Sequence, residues 1–146
     1  MTRLTEHFSL EELTRSAKAQ ELARGNVPSG GVLGNLLQTA IGLEGVRAVL
    51  GVPLQITSGY RCPAVNAAVG GVADSAHLSG WAADFVAPQF GTPFEIVKKL
   101  TESELAFDKL IQEGGWVHVS FDPRKRQQTM TAHFAAGKAT TYTQGV

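Results

Sequence analysis

Between Val32 and Leu50 the apolar residues Val32, Leu33, Leu36, Leu37, Ala40, Ile41, Leu43, Val46, Val49 and Leu50 recur with a period near 3.6. That pattern fixes a long helix, closed by Gly51 and Pro53. No other stretch of the 146 residues sustains a helical period for as long. Gly34, Gly42 and Gly45 inside this helix each cost about 1 kcal/mol of propensity, which predicts another element packed closely on their face. Ahead of it, Ser9-Leu10-Glu11-Glu12 has the form of a capping box, flanked by Phe8 and Leu13. It predicts a first helix running to about Arg24 and stopping at Gly25. Behind it the pattern shortens. Leu54–Ser58 and Ala82–Val86 read as strands, and Thr92-Pro93-Phe94-Glu95 starts a helix to about Leu100. Phe107–Gln112, Trp116–Phe121, Thr129–Phe134 and Ala139–Tyr142 read as successive antiparallel strands. Helices first and strands later give an α+β class, with N-terminal helices packed on an antiparallel sheet.

The length suits a single domain over residues 1–146, able to build a core without disulfides, and Cys62 has no second cysteine to pair with. Thirteen basic residues balance thirteen acidic ones, so the basic footprint of a nucleic-acid binder is absent. No apolar run reaches the ~18 residues of a membrane span, and membrane insertion is not expected. The first residues lack a cationic stretch followed by an apolar run, so synthesis in the cytoplasm without a signal peptide is expected.

Chemistry gathers in three segments: Ser58-Gly59-Tyr60-Arg61, Ser75 to Asp84, and Trp116-Val117-His118-Val119-Ser120. In the last, Val117, Val119 and Phe121 share the core face of a strand, which turns Trp116, His118 and Ser120 to the other face. Asp84 lies between Ala82 and Val86 on one strand face, a costly place for a carboxylate unless it is paired or metal-bound. His77 precedes it by seven positions. If the two strands are neighbours, His77, Asp84 and His118 form a three-ligand set suited to zinc, with a fourth position for water. The residues alone leave two plainer readings open: Asp84 as the partner of Arg61, and His118 as an ordinary strand histidine.

The pattern Ser75-x-His77-x-x-Gly80-x-Ala82-x-Asp84, followed by Trp116-x-His118 and preceded by Ser58-Gly59-Tyr60-Arg61, resembles the zinc D-alanyl-D-alanine carboxypeptidase family. That family includes vancomycin-resistance DD-peptidases and phage L-alanyl-D-glutamate endolysins. The likeness runs from Phe8 to about Phe121 and is greatest to short phage and prophage members. It implies the Hedgehog/DD-peptidase fold, one Zn²⁺ held by His77, Asp84 and His118, and hydrolysis of an amide bond in peptidoglycan stem peptides. It also implies that Arg61 holds a substrate carboxylate or the carbonyl oxygen that becomes negative. Ser58, Ser75 and Trp116 are the further candidates for substrate contact. The family often places its catalytic acid three residues before the last histidine, where this chain has Gly115. Glu113 is therefore the candidate general base, swung back by the turn at Gly114-Gly115, and Asp108 is a weaker one. A lysin of this kind is expected to be a monomer that reaches the cell wall after release by a holin. The competing expectation is a non-catalytic wall-binding or virion-structural module that keeps the zinc site. A cysteine peptidase built on Cys62 is a third. His7 and His133 are expected to be structural, and Arg124-Lys125-Arg126 to form a solvated hairpin turn.

Overall fold

In a computed structural model, described here for residues 2–146, six strands form one sheet in the order β1-β2-β4-β3-β5-β6. They are β1 (Gln55–Ser58), β2 (Ala82–Val86), β3 (Lys109–Gln112), β4 (Val117–Ser120), β5 (Gln128–His133) and β6 (Thr141–Gln144). The helices are α1 (Leu10–Thr14), α2 (Ala17–Glu21), α3 (Gly30–Leu50), α4 (Pro63–Ala68) and α5 (Pro93–Thr101). The class is α+β, as the order of patterns predicts.

The predicted first helix is in fact two. Ser9 and Glu12 form the capping box at the start of α1, but Arg15 is extended and Ser16 caps a second helix by accepting from the Ala19 N–H. A second N-cap serine inside a helical pattern offers the backbone an alternative partner, and here that alternative wins. α4 lies in what the sequence presents as a Gly-rich loop; Pro63 at its first turn is the signal for it.

The long helix ends as expected, and its glycines divide. A Cβ on Gly42 would come within 2.5 Å of the Phe121 ring, and one on Gly45 within 3.0 Å of Leu105. Gly34 faces open space, so close packing accounts for two of the three. Leu36, Ala40, Leu43, Val46 and Leu50 of α3 and Ile96, Val97 and Leu100 of α5 pack with Ala83, Phe85, Leu110, Val117 and Val119 from the sheet. Since side chains alternate along a strand, the helices cover one sheet face and His118, Ser120 and Asp84 fall on the other.

One pairing departs from the antiparallel expectation. β3 and β5 run parallel, and the other four pairs are antiparallel. β3 lies between β4 and β5, so the chain from β4 to β5 is a crossover past β3 rather than a hairpin. Arg124-Lys125-Arg126 belongs to that crossover, not to a hairpin turn. Arg126 grips the buried Asp108 carboxylate with two guanidinium hydrogen bonds of 2.8 Å, and its backbone N–H adds a third at 3.0 Å. The Gln127 side-chain oxygen accepts from the Phe107 N–H at 2.6 Å. The start of β3 is thereby clamped to the segment that leads into β5. Asp108 is thus committed to a structural pair and is not free to serve as a base.

The Arg126 hydrogen bonds hold the Asp108 carboxyl below the usual carboxylate range, against the opposing effect of burial. A folded-state pKa below the unfolded one adds stability that is complete above ~4 and disappears as pH falls through the depressed value. Asp108→Asn is therefore expected to lose about 1–3 kcal/mol at neutral pH. Urea unfolding at pH 7 and in acid checks this: the gap between wild type and variant should close as the pH drops.

Candidate metal centre

The site is built by register. Asp84 on β2 lies directly opposite His118 on β4, and Ser58 on β1 lies opposite Asp84 on its other side. Directly opposed residues in an antiparallel pair have Cα atoms about 4.5–5.5 Å apart and side chains on one face. Two neighbouring strands therefore bring together two of the candidate ligands, as the sequence argument required. His77 comes from the loop before β2, and that loop is held by the long helix. Asn35 of α3 donates to the Ser79 carbonyl at 2.8 Å, and the buried Thr39 hydroxyl donates to the Gly80 carbonyl at 2.6 Å. Gly80 has φ +80°, and a Cβ there would meet the Val32 carbonyl oxygen at 2.9 Å. Only glycine combines that conformation with that approach. The Ser75 hydroxyl accepts from the His77 N–H, so Ser75 shapes the same loop.

The imidazole of His77 is orientated from behind. Its Nδ1 lies 2.7 Å from the Gly59 carbonyl oxygen. A carbonyl only accepts, so Nδ1 carries a proton and Nε2 is the ring atom turned toward the cluster, the one available to a metal. That Nε2 is 3.3 Å from Asp84 Oδ1, and Nδ1 of His118 is 3.0 Å from the same oxygen. The two rings meet edge to face with centroids 5.1 Å apart. Gly59 itself packs so closely that a Cβ would overlap the Leu13 carbonyl of α1, while the Tyr60 N–H donates to that carbonyl at 2.7 Å.

Asp84 is 6% exposed and His77 3%. Burial alone would raise the Asp84 carboxyl; the charge and hydrogen bonds of His77 and His118 outweigh it and hold the group far below the usual carboxylate range. The other Asp84 oxygen lies 3.4 Å from the Arg61 guanidinium, so the arginine partnership and the histidine cluster hold at once. Arg61 also donates to the Ser58 hydroxyl at 3.3 Å and to Asn66 Oδ1 at 3.4 Å. Ser58 thus acts on Arg61, and Asn66 is a residue the sequence argument missed. It sits on α4, buried, with its amide nitrogen donating to the Val72 carbonyl. Because the helix was not expected, neither was its inward asparagine.

A cavity of about 680 Å³ opens over the cluster. Arg61, Ser75, His77, Asp84, Glu113, Trp116 and His118 all line it. Glu113 reaches it through the turn expected at Gly114-Gly115: its N–H donates to the Trp116 carbonyl at 3.0 Å, and Gly114 takes φ +78°. Burial pushes the Glu113 carboxyl up; Asp84 adds to this, while His118 and Arg61 pull the other way. Trp116 packs against Phe134, and its indole N–H is buried without a hydrogen-bond partner. Cys62 is half-buried at the N-cap of α4 and packs against the core, so it lies off the cavity. His7 pairs with Glu44 and His133 with the Thr143 hydroxyl, both outside the cluster.

One ligand atom each from His77, Asp84 and His118 can be chosen so that all three lie within 4.8 Å of one another. Nε2 of His77 and the Asp84 oxygen stand 3.3 Å apart, a contact that either a proton on the ring or a metal ion held between the two satisfies. Two imidazoles and one carboxylate are a donor set that a borderline-soft divalent metal satisfies. The profile of the peptidase M15 family matches residues 6–120, a span holding the whole cluster, Arg61 and Glu113. The chain belongs to the peptidase M15 family. No curated protein gives a significant match to the sequence. Membership of M15 makes this a metallopeptidase chain, with His77, Asp84 and His118 as its candidate metal ligands.

Two outcomes follow for an M15 centre of this geometry. Zinc added to metal-free protein should raise its melting temperature, the gain reaching about 2.7 kcal/mol at a hundred times the dissociation constant. His118→Ala should abolish that gain in a thermal-shift titration. Gly59→Ala should lose about 1–3 kcal/mol through overpacking and weaken zinc binding through the displaced His77, measured by competition with a chromogenic chelator.

Proposed function

We propose that the protein is a zinc-dependent peptidoglycan peptidase that hydrolyses an amide bond of murein stem peptides. The observation that carries this reading is the convergence of His77, Asp84 and His118 on a cavity floor with Glu113 facing the same space. Zinc bound by those three residues would supply Lewis acidity toward a water and toward the scissile carbonyl. The remaining chemistry falls to the chain. Glu113, with its pKa pushed up by burial, takes the proton of the attacking water on a carboxylate oxygen and passes it to the leaving amine nitrogen. Arg61 has five N–H donors, of which three are used by Ser58, Asn66 and Asp84. The two left over suit a substrate carboxylate or the carbonyl oxygen as it gains charge. Trp116 and Ser75 line the approach.

A substrate of this kind places the site of action at the cell wall, with release by a holin as the route, and the domain works as a monomer. The bond cut is of the D-Ala-D-Ala carboxypeptidase or the L-Ala-D-Glu endopeptidase type. Incubation with purified muropeptides, followed by mass spectrometry of the products, tests the reading. Cleavage abolished by a chelator and restored by zinc supports it; binding without cleavage would assign the non-catalytic wall-binding role instead.

Glu113→Gln should lower kcat by about 10²–10⁴-fold while zinc still binds. A base with a raised pKa must lose its proton before it can act. The acid limb of the kcat/KM profile should therefore lie above ~4.3, the ordinary glutamate value. A profile recorded from pH 4 to 9 checks the limb's position.

A further inference from the structure

β3 presents Lys109 and Ile111 to the cavity side of the sheet, since residues two apart along a strand share a face, and Glu113 in the turn that follows lines the same cavity. Ile111 is directly opposite His118, and Lys109 directly opposite Ser120. The metal cluster therefore stands level with the middle of this row, with the candidate base at one end and an ammonium at the other. Two residues of strand separate Lys109 from Ile111, about 7 Å. An extended peptide covers a similar distance in two residues.

The charges at the Lys109 end do not balance. Arg126 is spent on Asp108, and Arg124 on Asp122 at 3.0 Å. Lys109 is half-buried, and no carboxylate pairs with it among the described residues. Asp74 and Glu113 also line the cavity but neither is paired with Lys109, which leaves it the cation at that end without a fixed carboxylate partner among the described residues. The side chain is half-buried along its stem while its ammonium stays within reach of the cavity's solvent, so it is free to pair with an anion that enters. Every other cation lining the cavity already has a carboxylate partner in the fold.

We infer that Lys109 is a specificity-determining residue: it binds a free carboxylate of the peptide substrate, one to two residues from the scissile amide. The substrate class is accordingly an anionic peptide, and converting its carboxylates to carboxamides weakens binding. This rests on the proposed peptidase reading for the identity of the scissile bond, but the carboxylate preference is measurable without turnover.

The test compares a stem pentapeptide with free carboxylates and the same peptide with those groups as carboxamides. Each is measured on zinc-loaded wild type and on Lys109→Met, which keeps most of the aliphatic stem. Binding is read by tryptophan fluorescence, and cleavage by KM and kcat. Wild type should bind the carboxylate peptide about tenfold or more tightly than the carboxamide. Lys109→Met should lose most of that preference by a rise in Kd and KM for the carboxylate peptide alone, with kcat within threefold. Lys109→Arg should restore much of it. A preference in wild type that survives Lys109→Met, as reading by Arg61 alone would give, overturns the inference. So does equal weakening of both peptides, the mark of a purely structural lysine. Carboxylate-selective binding that depends on Lys109, with neither peptide cleaved, overturns the proposed hydrolysis and supports the subsite.

Discussion

A single carboxylate ties the molecule together. Asp84 is buried on a central strand, where an unpaired negative charge would be prohibitive. It becomes tolerable because two imidazoles meet one oxygen and a guanidinium meets the other. Each partner arrives from a different part of the chain: His118 by strand pairing, Arg61 from the segment after β1, His77 from a loop that α3 holds down. Satisfying that one group obliges β1, β2, β4 and the His77 loop to take up one mutual arrangement. The same demand that makes the site chemically capable thus also specifies the fold around it.

The division of the sheet into two faces does the rest. Phe85, Leu110, Val117 and Val119 are fully buried beneath α3 and α5, while the alternate residues Asp84, Ile111 and His118 look the other way. Because period-2 alternation separates the two sets without exception along β2 and β4, stability and chemistry use different side chains of the same strands. α3 bridges the two tasks: Leu36, Leu43 and Leu50 fill the core, and Asn35 and Thr39 reach round to the loop that carries His77.

Much of this was readable from residues. The core face of β4, the capping boxes at Ser9 and Thr92 and the end of α3 follow from local periodicity and chemistry, whereas the meeting of His77, Asp84 and His118 hung on two strands being neighbours and on the family resemblance. What escaped depended on contacts distant in sequence. The split between α1 and α2 turns on Ser16 competing as a cap. The parallel placement of β5 turns on Arg126 seeking Asp108 across the crossover, which no local pattern records. Asn66 was invisible because its helix is short and begins behind a cysteine and a proline in a glycine-rich stretch. Glu113 stood further from the last histidine than the family habit suggests, and the turn at Gly114 supplies the reach that spacing alone does not.

The family profile ends at Ser120, but the cavity continues past it: Met130, Phe134, Thr140 and Tyr142, from β5, β6 and their connection, line its far side. Those two strands pair with each other, and β5 joins the rest of the sheet by pairing with β3. The candidate metal ligands and part of the cavity lining are therefore written in consecutive lengths of polypeptide. A lineage could exchange the last two dozen residues for another ribbon and retarget the reagent, leaving its reactive heart untouched.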